Sequence, residues 1–453
     1  MWDSLGFRES PYNTNPLKAR QEDVELLVGR TLEATEFCTT LDAASQGIMV
    51  ISGVPGVGKT SFFNVQQYLL ENRLSAFGPK LLAARNLCPV QPTDVPRTVA
   101  LRALDSLYRS IATLCEENNF QIPTETKKVG KWLRGEATGF ELGLQILGFG
   151  GNVGRSVTLP AVKDASFESI ADAIHALSSE VNQYLHFDCA AIALDNVENL
   201  DDKTLGDLLI SFRDTLFSIP NIWWVVIGQS GLGSLIQSLD PRVFERTAGS
   251  GLEIKPIELE ELHEAISLRV KRFHVSGQGL APLSKKVHER LFTASHGEMR
   301  FVFKYSNSIC MKHVEVTRRE VLELPPIKAL QTKPGYKDAF TNALNRAIAK
   351  QMINSHIPDM KCDSYLRKIV QNEIEGLQLK AREKSVLDSI GDKKQARASD
   401  FKDFGMKSMQ DFSSNYLSKL HHQNLLARKQ EGRAVNYRLR GISYIAHACG
   451  LLK

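Results

Sequence analysis

The chain has 453 residues and a mass of 50.5 kDa, more than one hydrophobic core usually supports, so two or three domains are expected. Its 43% hydrophobic and 24% charged residues argue against a disordered or fibrous protein. The net charge of +5 is uneven: residues 380–453 hold 15 Lys+Arg and 7 Asp+Glu, a net of +8, and the remainder holds 41 and 44, a net of −3. A basic C-terminal segment is typical of a nucleic-acid-binding module, with a solvated basic face as the alternative.

The sequence contains no stretch suited to a membrane. Its longest apolar runs, at residues 189–194 and 222–227, are strand-sized, whereas a spanning helix needs roughly 20 apolar residues. The N-terminus lacks the basic-then-apolar layout of a signal peptide. The seven cysteines include no CxxC pair, which indicates reduced thiols and argues against a zinc site. We therefore expect a cytoplasmic protein whose metal chemistry comes from a nucleotide.

Hydrophobic periodicity predicts strands that alternate with helices along the first half of the chain. Strands are expected at residues 48–52, 81–86, 190–194, 223–227 and 252–257, and helices at 60–70, 98–115, 167–184 and 204–217. This alternation indicates a parallel α/β sheet. A glycine-rich, partly alternating stretch at about 137–160 is expected to form an inserted β-hairpin, whose role the sequence leaves open between DNA contact, subunit contact and structural elaboration.

The predicted domain organisation follows from these patterns. Residues 1–258 form the nucleotide-binding core, and the strand-poor residues 259–325 form a small helical lid. A connector at 326–380 is marked by Pro325, Pro326 and Pro334, and helices expected at 336–352 and 365–384 lead from it into the C-terminal module. Residues 381–453 form the basic C-terminal module.

Residues 53–60 read GVPGVGKT, which matches the spacing GxxxxGK[ST] between a predicted strand and a predicted helix. Glycines let the backbone N–H groups turn inward around phosphates, the lysine places a charge on the β- and γ-phosphates, and the threonine hydroxyl binds Mg²⁺. The sequence thus predicts that ATP and Mg²⁺ are bound by this loop. The predicted contacts are Gly53, Val54, Pro55, Gly56, Val57, Gly58, Lys59, Thr60 and Ser61.

A second metal ligand is expected at the end of another buried strand. The strand CAAIALD ends in Asp195, which is the candidate partner of Thr60 on the metal. An acidic group must also polarise the attacking water, but Asn196 follows Asp195 directly. Glu198 is the candidate base if the strand end curls, and the alternative is that Glu198 caps the helix that begins near Asp201. Hydrolysis is therefore expected to be slow or gated by assembly.

These motifs and the segments around them resemble AAA+ ATPases of the origin-recognition and replication-initiator clade, and related ATPases of transposition and phage-defence systems. The resemblance covers most of the chain. GFRESPY followed by LVGR, which contains Gly29 and Arg30, resembles the segment that holds adenine in that family. The strand at 223–227 resembles sensor 1, with Gln229 or Ser230 as its polar tip.

The same resemblance assigns three arginines. DPRVFER, with Arg242 and Arg246, matches the place of the trans-acting arginine finger, and GEMR resembles the sensor-2 motif, with Arg300 facing the phosphates. Such an arginine neutralises charge on the transferring phosphoryl group and couples hydrolysis to assembly. A lone surface arginine is more often a solvated charge, so the order of the motifs carries the assignment. A homo-oligomer is implied.

The C-terminal module reads as a winged helix-turn-helix. Helices are expected at 384–390, near Ser399 and at 408–422, with a turn at Gly405 and two short strands around residues 431–432. Phe412, Tyr416, Leu417 and Leu420 fit a buried face. The outward side chains suit a major groove and the wing suits phosphates, and the predicted DNA contacts are Lys407, Gln410, Ser413, Ser414, Ser418, Lys419, Arg428, Lys429, Arg433 and Arg438.

The sequence therefore predicts an α/β P-loop NTPase of AAA+ type, with a helical lid and a C-terminal winged helix-turn-helix. The expected function is that of an oligomeric ATPase that binds double-stranded DNA as a loader, regulator or sensor. The alternative is a signalling or scaffold ATPase of a phage-defence system, in which ATP switches assembly and the winged helix docks an effector protein. Asn196 favours that alternative. A helicase motor is disfavoured because no second core of this type is visible.

Overall fold

The computed structural model describes residues 1–136, 141–148, 151–158, 160–325, 337–338, 341–343, 345–346, 355–431 and 434–453. The chain divides into two compact units. The first, called the core unit, is Pro16–Lys255, and the second, called the terminal unit, combines Met1–Asn15 with Pro256–Lys453. The first fifteen residues thus belong with the lid and the C-terminal module, whereas the sequence placed them with the core. The finer subdivision into lid, connector and winged helix stays a prediction.

The core unit is built on a six-stranded sheet. Its strands are β1 (Gly47–Gly53), β2 (Leu81–Leu82), β3 (Cys88–Pro89), β6 (Cys189–Asp195), β7 (Ile222–Ile227) and β8 (Leu252–Ile254). Their order is β2-β6-β7-β1-β8, β3 also pairs with β6, and all of these pairings are parallel. The predicted parallel α/β sheet is confirmed. Because β7 lies between β1 and β6, the carboxyl ends of these three strands meet at one edge.

Helices cover both faces of this sheet. They are α1 (Gln21–Val24), α2 (Thr31–Asp42), α3 (Lys59–Glu71), α4 (Pro96–Glu117), α5 (Thr124–Leu133), α6 (Phe167–Gln183), α7 (Asp202–Arg213), α8 (Leu232–Leu239) and α9 (Pro241–Phe244). Ile48 and Val50 of β1 pack in a cluster with α4, α6 and α7, and the alternating residues Met49 and Ile51 pack with α2 and α3. A sheet buried on both faces explains why its strands read as continuous apolar runs.

A hairpin lies between α5 and α6 in the chain. It consists of β4 (Glu141–Gly148) and β5 (Gly151–Thr158), which pair antiparallel from Glu141 with Thr158 to Gly148 with Gly151. These strands fall within the stretch where the sequence predicts a hairpin. Within the described residues they form a separate two-stranded sheet and do not extend the parallel sheet.

The terminal unit contains α10 (Leu259–Phe273), α11 (Lys285–Ser295), α12 (Met299–Leu322) and α13 (Asp359–Gly376). The first residues of the chain pack into this unit: Phe7 bridges to His274, and the Tyr12 hydroxyl lies 3.0 Å from Nε2 of His288. The predicted end of the helix at 365–384 is wrong. The observed helix α13 ends at Gly376, and Gln378 has a positive φ of 49°. Most of the helix predicted at 336–352 lies outside the described residues.

The C-terminal part begins with α14 (Ala381–Lys393), followed by a 3₁₀-helix at Ala398–Phe404. A helix then runs over residues 409–422, as α15 (Met409–Asp411), a π-helical middle at Phe412–Ser418 and α16 (Lys419–His422). The hairpin of β9 (Leu426–Glu431) and β10 (Ala434–Leu439) follows, and α17 (Ile442–Ala448) ends the unit. Ala396 bridges to Tyr437 of β10. Three helical segments and a hairpin thus follow one another in the order that the sequence predicts for a winged helix-turn-helix, and that assignment stays a prediction.

Candidate nucleotide and nucleic-acid sites

The loop between β1 and α3 depends on glycine at its first position. A Cβ added to Gly53 would lie 2.5 Å from the carbonyl oxygen of Ile254 in β8, so any larger residue would collide with backbone. Gly58 has a φ of 101° and is the N-cap of α3, which begins at Lys59. The loop therefore delivers its backbone N–H groups to the N-terminus of a 13-residue helix, which suits an anion.

Lys59 lies across the inside of this loop. Its Nζ donates to the carbonyl oxygens of Gly53 at 2.9 Å and Val54 at 3.3 Å. The ammonium is thus already directed at the space that the loop encloses. A phosphate in that space would meet a point charge in addition to the N–H groups.

The two predicted metal ligands are brought together by the fold. Oγ1 of Thr60, in the first turn of α3, lies 3.5 Å from Oδ2 of Asp195 at the end of β6. A hydroxyl and a carboxylate at this spacing fit Mg²⁺, which retains several waters and takes its other ligands from substrate phosphates. In the part of the chain that the structure describes, no three His, Cys, Asp or Glu side chains are grouped to hold a metal by themselves. The site therefore suits a metal that arrives with a nucleotide.

The strand end after Asp195 curls, as the Glu198 hypothesis requires. Asn196 adopts a left-handed conformation with φ 59°, and its N–H donates to Oδ1 of Asp195 at 3.0 Å. Glu198 follows in a short 3₁₀ turn, and its Oε2 lies 3.4 Å from the position of a Cβ added to Gly228. Its carboxylate thus lies beside the tip of β7. The cap of α7 is Asp201, whose Oδ1 accepts the N–H of Thr204 at 2.8 Å.

The predicted sensor residues lie at the end of β7. Gln229 and Ser230 directly follow this strand, and both are exposed. Since β7 lies between β1 and β6, this tip falls between the phosphate loop and Asp195. The order of the strands thus gives a polar side chain there access to a γ-phosphate, and the choice between Gln229 and Ser230 stays a prediction.

Arg30 supports the loop through its backbone. Its side chain is buried; Nη2 donates to the carbonyl of Val57 at 3.0 Å, and Nη1 donates to the carbonyl of Lys255 at 2.7 Å. Nη1 also pairs with Glu33 at 3.0 Å. These contacts point to a role in holding the loop, and the predicted direct contact of Gly29 and Arg30 with the nucleotide stays a prediction.

The contacts between the segment before α1 and helix α3 were not predicted from the sequence. The N–H of Leu17 donates to Oγ of Ser61 at 3.0 Å, and Nδ2 of Asn64 donates to the carbonyl of Leu17 at 2.8 Å. Ser61 is therefore engaged with protein backbone at the start of the phosphate-facing helix. No local motif signals these contacts, because the residues that make them are separated by 44 and 47 positions.

The two candidate finger arginines differ in their surroundings. Arg246 pairs with Asp214 at 3.4 Å and donates to the carbonyl of Arg213. Arg242 is exposed and, within the described residues, makes no side-chain hydrogen bond or ion pair. The pKa of the Asp214 carboxyl is lowered, chiefly by a hydrogen bond from Arg213 and to a lesser degree by the charges of Arg246 and Arg242. Arg242 is therefore the arginine that is available to a partner.

Asp240 fixes the helix that presents Arg242. Its Oδ1 accepts the backbone N–H groups of Arg242 at 2.8 Å and Val243 at 3.1 Å, and its Oδ2 pairs with Arg213 at 3.0 Å. The ion pair between Asp240 and Arg213 could not be predicted from the sequence, because Arg213 lies 27 residues earlier.

In the terminal unit, Arg300 is the second residue of α12 and is exposed. Its predicted role stays a prediction.

The C-terminal helices and hairpin present part of the predicted DNA-binding set. Lys407, Gln410, Ser414 and Arg428 are exposed, and Ser413 and Ser418 are partly buried. Lys429 as a side chain and Arg433 as a whole lie outside the described residues. Phe412, Leu417 and Leu420 are buried as expected, but Tyr416 is only partly buried. The π-helical middle of this helix changes its period and so rotates the later residues.

Two of the predicted DNA contacts are engaged within the protein. Nζ of Lys419 lies 2.6 Å from Oε1 of Glu383, a buried carboxylate of α14. On the wing, Nη2 of Arg438 donates to Gln395 at 3.3 Å. A phosphate would have to compete with Glu383 for the charge of Lys419, which makes Lys407 and Arg428 the better placed cations.

The sheet, the loop and the Thr60–Asp195 pair together define a P-loop NTPase. No protein-family model matches the chain, and no curated protein matches it. Among solved structures, a Walker-type ATPase of Pyrococcus abyssi is similar with a TM-score of 0.49 at 14% identity, over 96% of this chain and 99% of that one. The Aeropyrum pernix ORC2 protein, as ADPNP–ADP complexes, gives 0.45 at 13% identity, over 99% and 98%.

The ORC1 protein of Aeropyrum pernix, solved in complex with DNA, gives a TM-score of 0.44 at 14% identity, over 98% of this chain and 97% of that one. All three similarities have TM-scores below 0.5. Function is therefore inferred from the residues of this chain. Among the described residues, no helix combines the length and apolarity that crossing a membrane needs.

Proposed function

We propose that the chain is an ATP-dependent, oligomer-forming AAA+ ATPase that binds double-stranded DNA through its winged helix and acts there as a loader, regulator or sensor. The observation that carries the proposal is the meeting of Thr60 and Asp195 at 3.5 Å beside the phosphate loop. A glycine turn without a nucleotide would not need a carboxylate at that place. The basic winged helix-turn-helix supports the DNA part.

Each residue of the nucleotide site has a separate task in this proposal. The loop N–H groups and Lys59 bind the phosphates, and Thr60 and Asp195 hold the metal, which would neutralise charge on the β- and γ-phosphates. Glu198 orients and deprotonates the attacking water beside Gln229 at the tip of β7. The curl at Asn196 brings Glu198 to this position, so an acidic residue directly after Asp195 is not required.

Arg242 completes the site of a neighbouring copy. It is exposed on a short helix that Asp240 caps, and its charge is not consumed by an ion pair within the described residues. An arginine inserted from outside stabilises the charge that develops on the transferring phosphoryl group. Hydrolysis would then require assembly, which couples the nucleotide state to the oligomeric state.

The deciding experiment measures ATP turnover at concentrations where the protein assembles, with and without double-stranded DNA. We expect turnover to rise several-fold with DNA. The Lys59→Ala variant serves as the background control, because the removal of the phosphate-binding charge should abolish turnover in both conditions. Turnover that stays at the Lys59→Ala background with DNA and with assembled protein would contradict the proposal.

Asn196 favours the second candidate function, a phage-defence scaffold in which ATP is an assembly switch and the winged helix docks an effector protein. In that case ATP should drive oligomer formation in analytical ultracentrifugation, with turnover at background and no binding of DNA. The position of Glu198 beside β7 makes this candidate the weaker one.

A further inference from the structure

Among the described residues, a cavity of about 270 Å³ in the terminal unit is lined in equal part by apolar residues and by histidine, lysine and hydroxyl side chains. Apart from Phe7, which belongs to the GFRESPY segment, its lining residues lie outside the sequence motifs described above. Apolar residues of the first fifteen positions, among them Leu5 and Phe7, form one wall. The polar lining consists of His274, His313, Thr317, Ser355, His356 and Lys361.

The floor of the cavity belongs to α12. His313 and Thr317 are four residues apart and so lie on one face of this helix, and both are buried, at 7% and 2% exposure. Nδ1 of His313 lies 3.3 Å from the hydroxyl of Tyr365, which leaves Nε2 as the other polar atom of the ring. Burial, and to a lesser degree the charge of Lys361, lower the pKa of His313 to about 4. The ring is therefore neutral at pH 7 and carries one N–H, which is on Nε2 in the tautomer whose Nδ1 accepts from the Tyr365 hydroxyl.

The rim carries the positive charge. Ser355, His356 and Lys361 are exposed, and Nδ1 of His356 is 2.7 Å from the carbonyl of Ala281, to which it must donate. Lys361 lies in the first turn of α13, an 18-residue helix whose N-cap, Pro358, also lines the cavity and provides no side-chain cap. The positive end of the α13 dipole therefore faces the same region.

Carboxylates lie nearby but do not line the cavity. Asp359 begins α13, and its Oδ1 accepts from Oγ of Ser284 at 2.7 Å. The charge of Glu320 raises the pKa of His313, but its effect is smaller than the opposite effect of Lys361. Of the described residues that form the lining, none is acidic. The lining also does not suit a metal, because no three metal-binding side chains in the described part of the chain are grouped for that purpose.

We propose that this cavity binds a phosphate-type oxyanion, as a free ion or as the phosphate of a small monoester. The buried His313 and Thr317 provide hydrogen bonds at the floor, and Lys361 and Ser355 donate to the anion at the rim, where His356 lies beside them. Charge-assisted bonds of this kind are the strong ones, and Lys361 supplies the charge at neutral pH. The proposal does not depend on the function proposed for the core unit.

The test uses the full chain labelled with ¹⁵N in its histidines and carrying Lys59→Ala, which weakens phosphate binding at the core loop. Inorganic phosphate and ribose 5-phosphate are titrated separately at constant ionic strength, and histidine ring resonances are followed by NMR. We expect the signals of His313 and His356, assigned through His313→Gln and His356→Gln respectively, to shift and saturate with at least one of the two. Saturation by both indicates a free-phosphate site, and saturation by ribose 5-phosphate alone indicates a monoester site.

Lys361→Gln should weaken the saturating anion about tenfold, since a hydrogen bond between charged groups is lost. Lys368→Gln is the matched control, because Lys368 is an exposed lysine of the same helix that does not line the cavity. Both substitutions are at exposed positions, so folding is expected to be retained, and unchanged unfolding temperatures confirm it. The absence of saturable shifts with both anions, or equal weakening by Lys361→Gln and Lys368→Gln, would overturn the proposal.

Discussion

Lys59 donates to two carbonyl oxygens of its own loop, and this position determines how its removal should affect ATP binding. Removal of the ammonium leaves the loop N–H groups and the helix dipole in place, but it deletes the point charge on the β- and γ-phosphates. Lys59→Ala should therefore weaken ATP binding about 30-fold or more in a fluorescence titration, the loss expected for charged hydrogen bonds. Lys203→Ala, at an exposed position of α7, is the control. Unchanged ATP affinity in Lys59→Ala would show that the phosphate site is assigned wrongly.

Glu198 is the residue on which the rate of hydrolysis depends most directly. Glu198→Gln keeps the shape of the side chain but removes the base, so turnover should fall about 100-fold or more. ATP affinity should change by less than about threefold, since the phosphate contacts remain. Asp202→Asn, a neutralised carboxylate in the first turn of α7, should leave turnover unchanged. If the two variants lose the same amount of activity, Glu198 does not act as the base.

At the scale of single elements, the short helix α9 carries Arg242, which is proposed to act in the nucleotide site of a neighbouring copy. Arg242→Ala should lower turnover about 100-fold, the order of loss seen when one transition-state donor is removed. Arg246→Ala should have a much smaller effect, because that guanidinium is already bound to Asp214 and to the backbone of Arg213.

A mixing experiment separates action on a neighbour from action within one chain. Lys59→Ala and Arg242→Ala subunits are each expected to be inactive alone. When they are mixed, an intact loop of one variant faces an intact arginine of the other, and turnover should partly return. An absence of recovery at concentrations where mixed oligomers form would refute the trans-acting role.

The wing is the second element with a separable function. Replacement of Arg428, Lys429 and Arg433 together by alanine should flatten the dependence of log K on log salt for double-stranded DNA by up to about 2.7, since each phosphate contact contributes about 0.9. Binding isotherms at four or more salt concentrations measure this slope.

A matched triple substitution outside the winged helix-turn-helix controls for overall charge. Lys271, Lys285 and Lys286 are exposed residues of the lid region, and their joint replacement by alanine should leave the slope unchanged. An unchanged slope in the wing variant, or equal flattening in both, would remove the wing from the DNA interface.

For the whole molecule, the buried His288 makes stability depend on pH. Burial, followed by the charges of His263 and His356, lowers its pKa from 6.5 to about 3. Between these values the unfolded chain binds a proton that the folded chain does not bind, so unfolding becomes easier as pH falls from 6.5 towards 3. At pH 5 the cost is about 2 kcal/mol.

Thermal unfolding at pH 7 and pH 5, with wild type and His288→Asn compared, measures this contribution. His288→Asn should lose less stability on acidification, while part of the dependence remains because the pKa of His313 is also lowered by burial. An equal loss in both proteins would show that His288 is not buried in its neutral form.

Local patterns were enough to predict the sheet and the phosphate site. The loop motif is contiguous, and the strands ending in Asp195 and Ile227 are buried on both faces, so their apolar runs are unbroken. Long-range contacts could not be predicted: the Lys419 pair with Glu383 spans 36 residues, and the Tyr12 contact with His288 spans 276. The predicted helix at 365–384 ran too far because the buried Leu379 continues its apolar pattern past the break.

The chain passes from one unit to the other twice, after Asn15 and after Lys255, and a proline follows each of these residues. The core unit is thus inserted into the sequence of the terminal unit. Each of the two junctions is followed by a proline, whose ring fixes φ. Removal of the first fifteen residues would therefore take residues from the terminal unit and none from the core unit. The core unit is one uninterrupted stretch of chain, whereas a single-chain form of the terminal unit requires a new peptide link from residue 15 to residue 256.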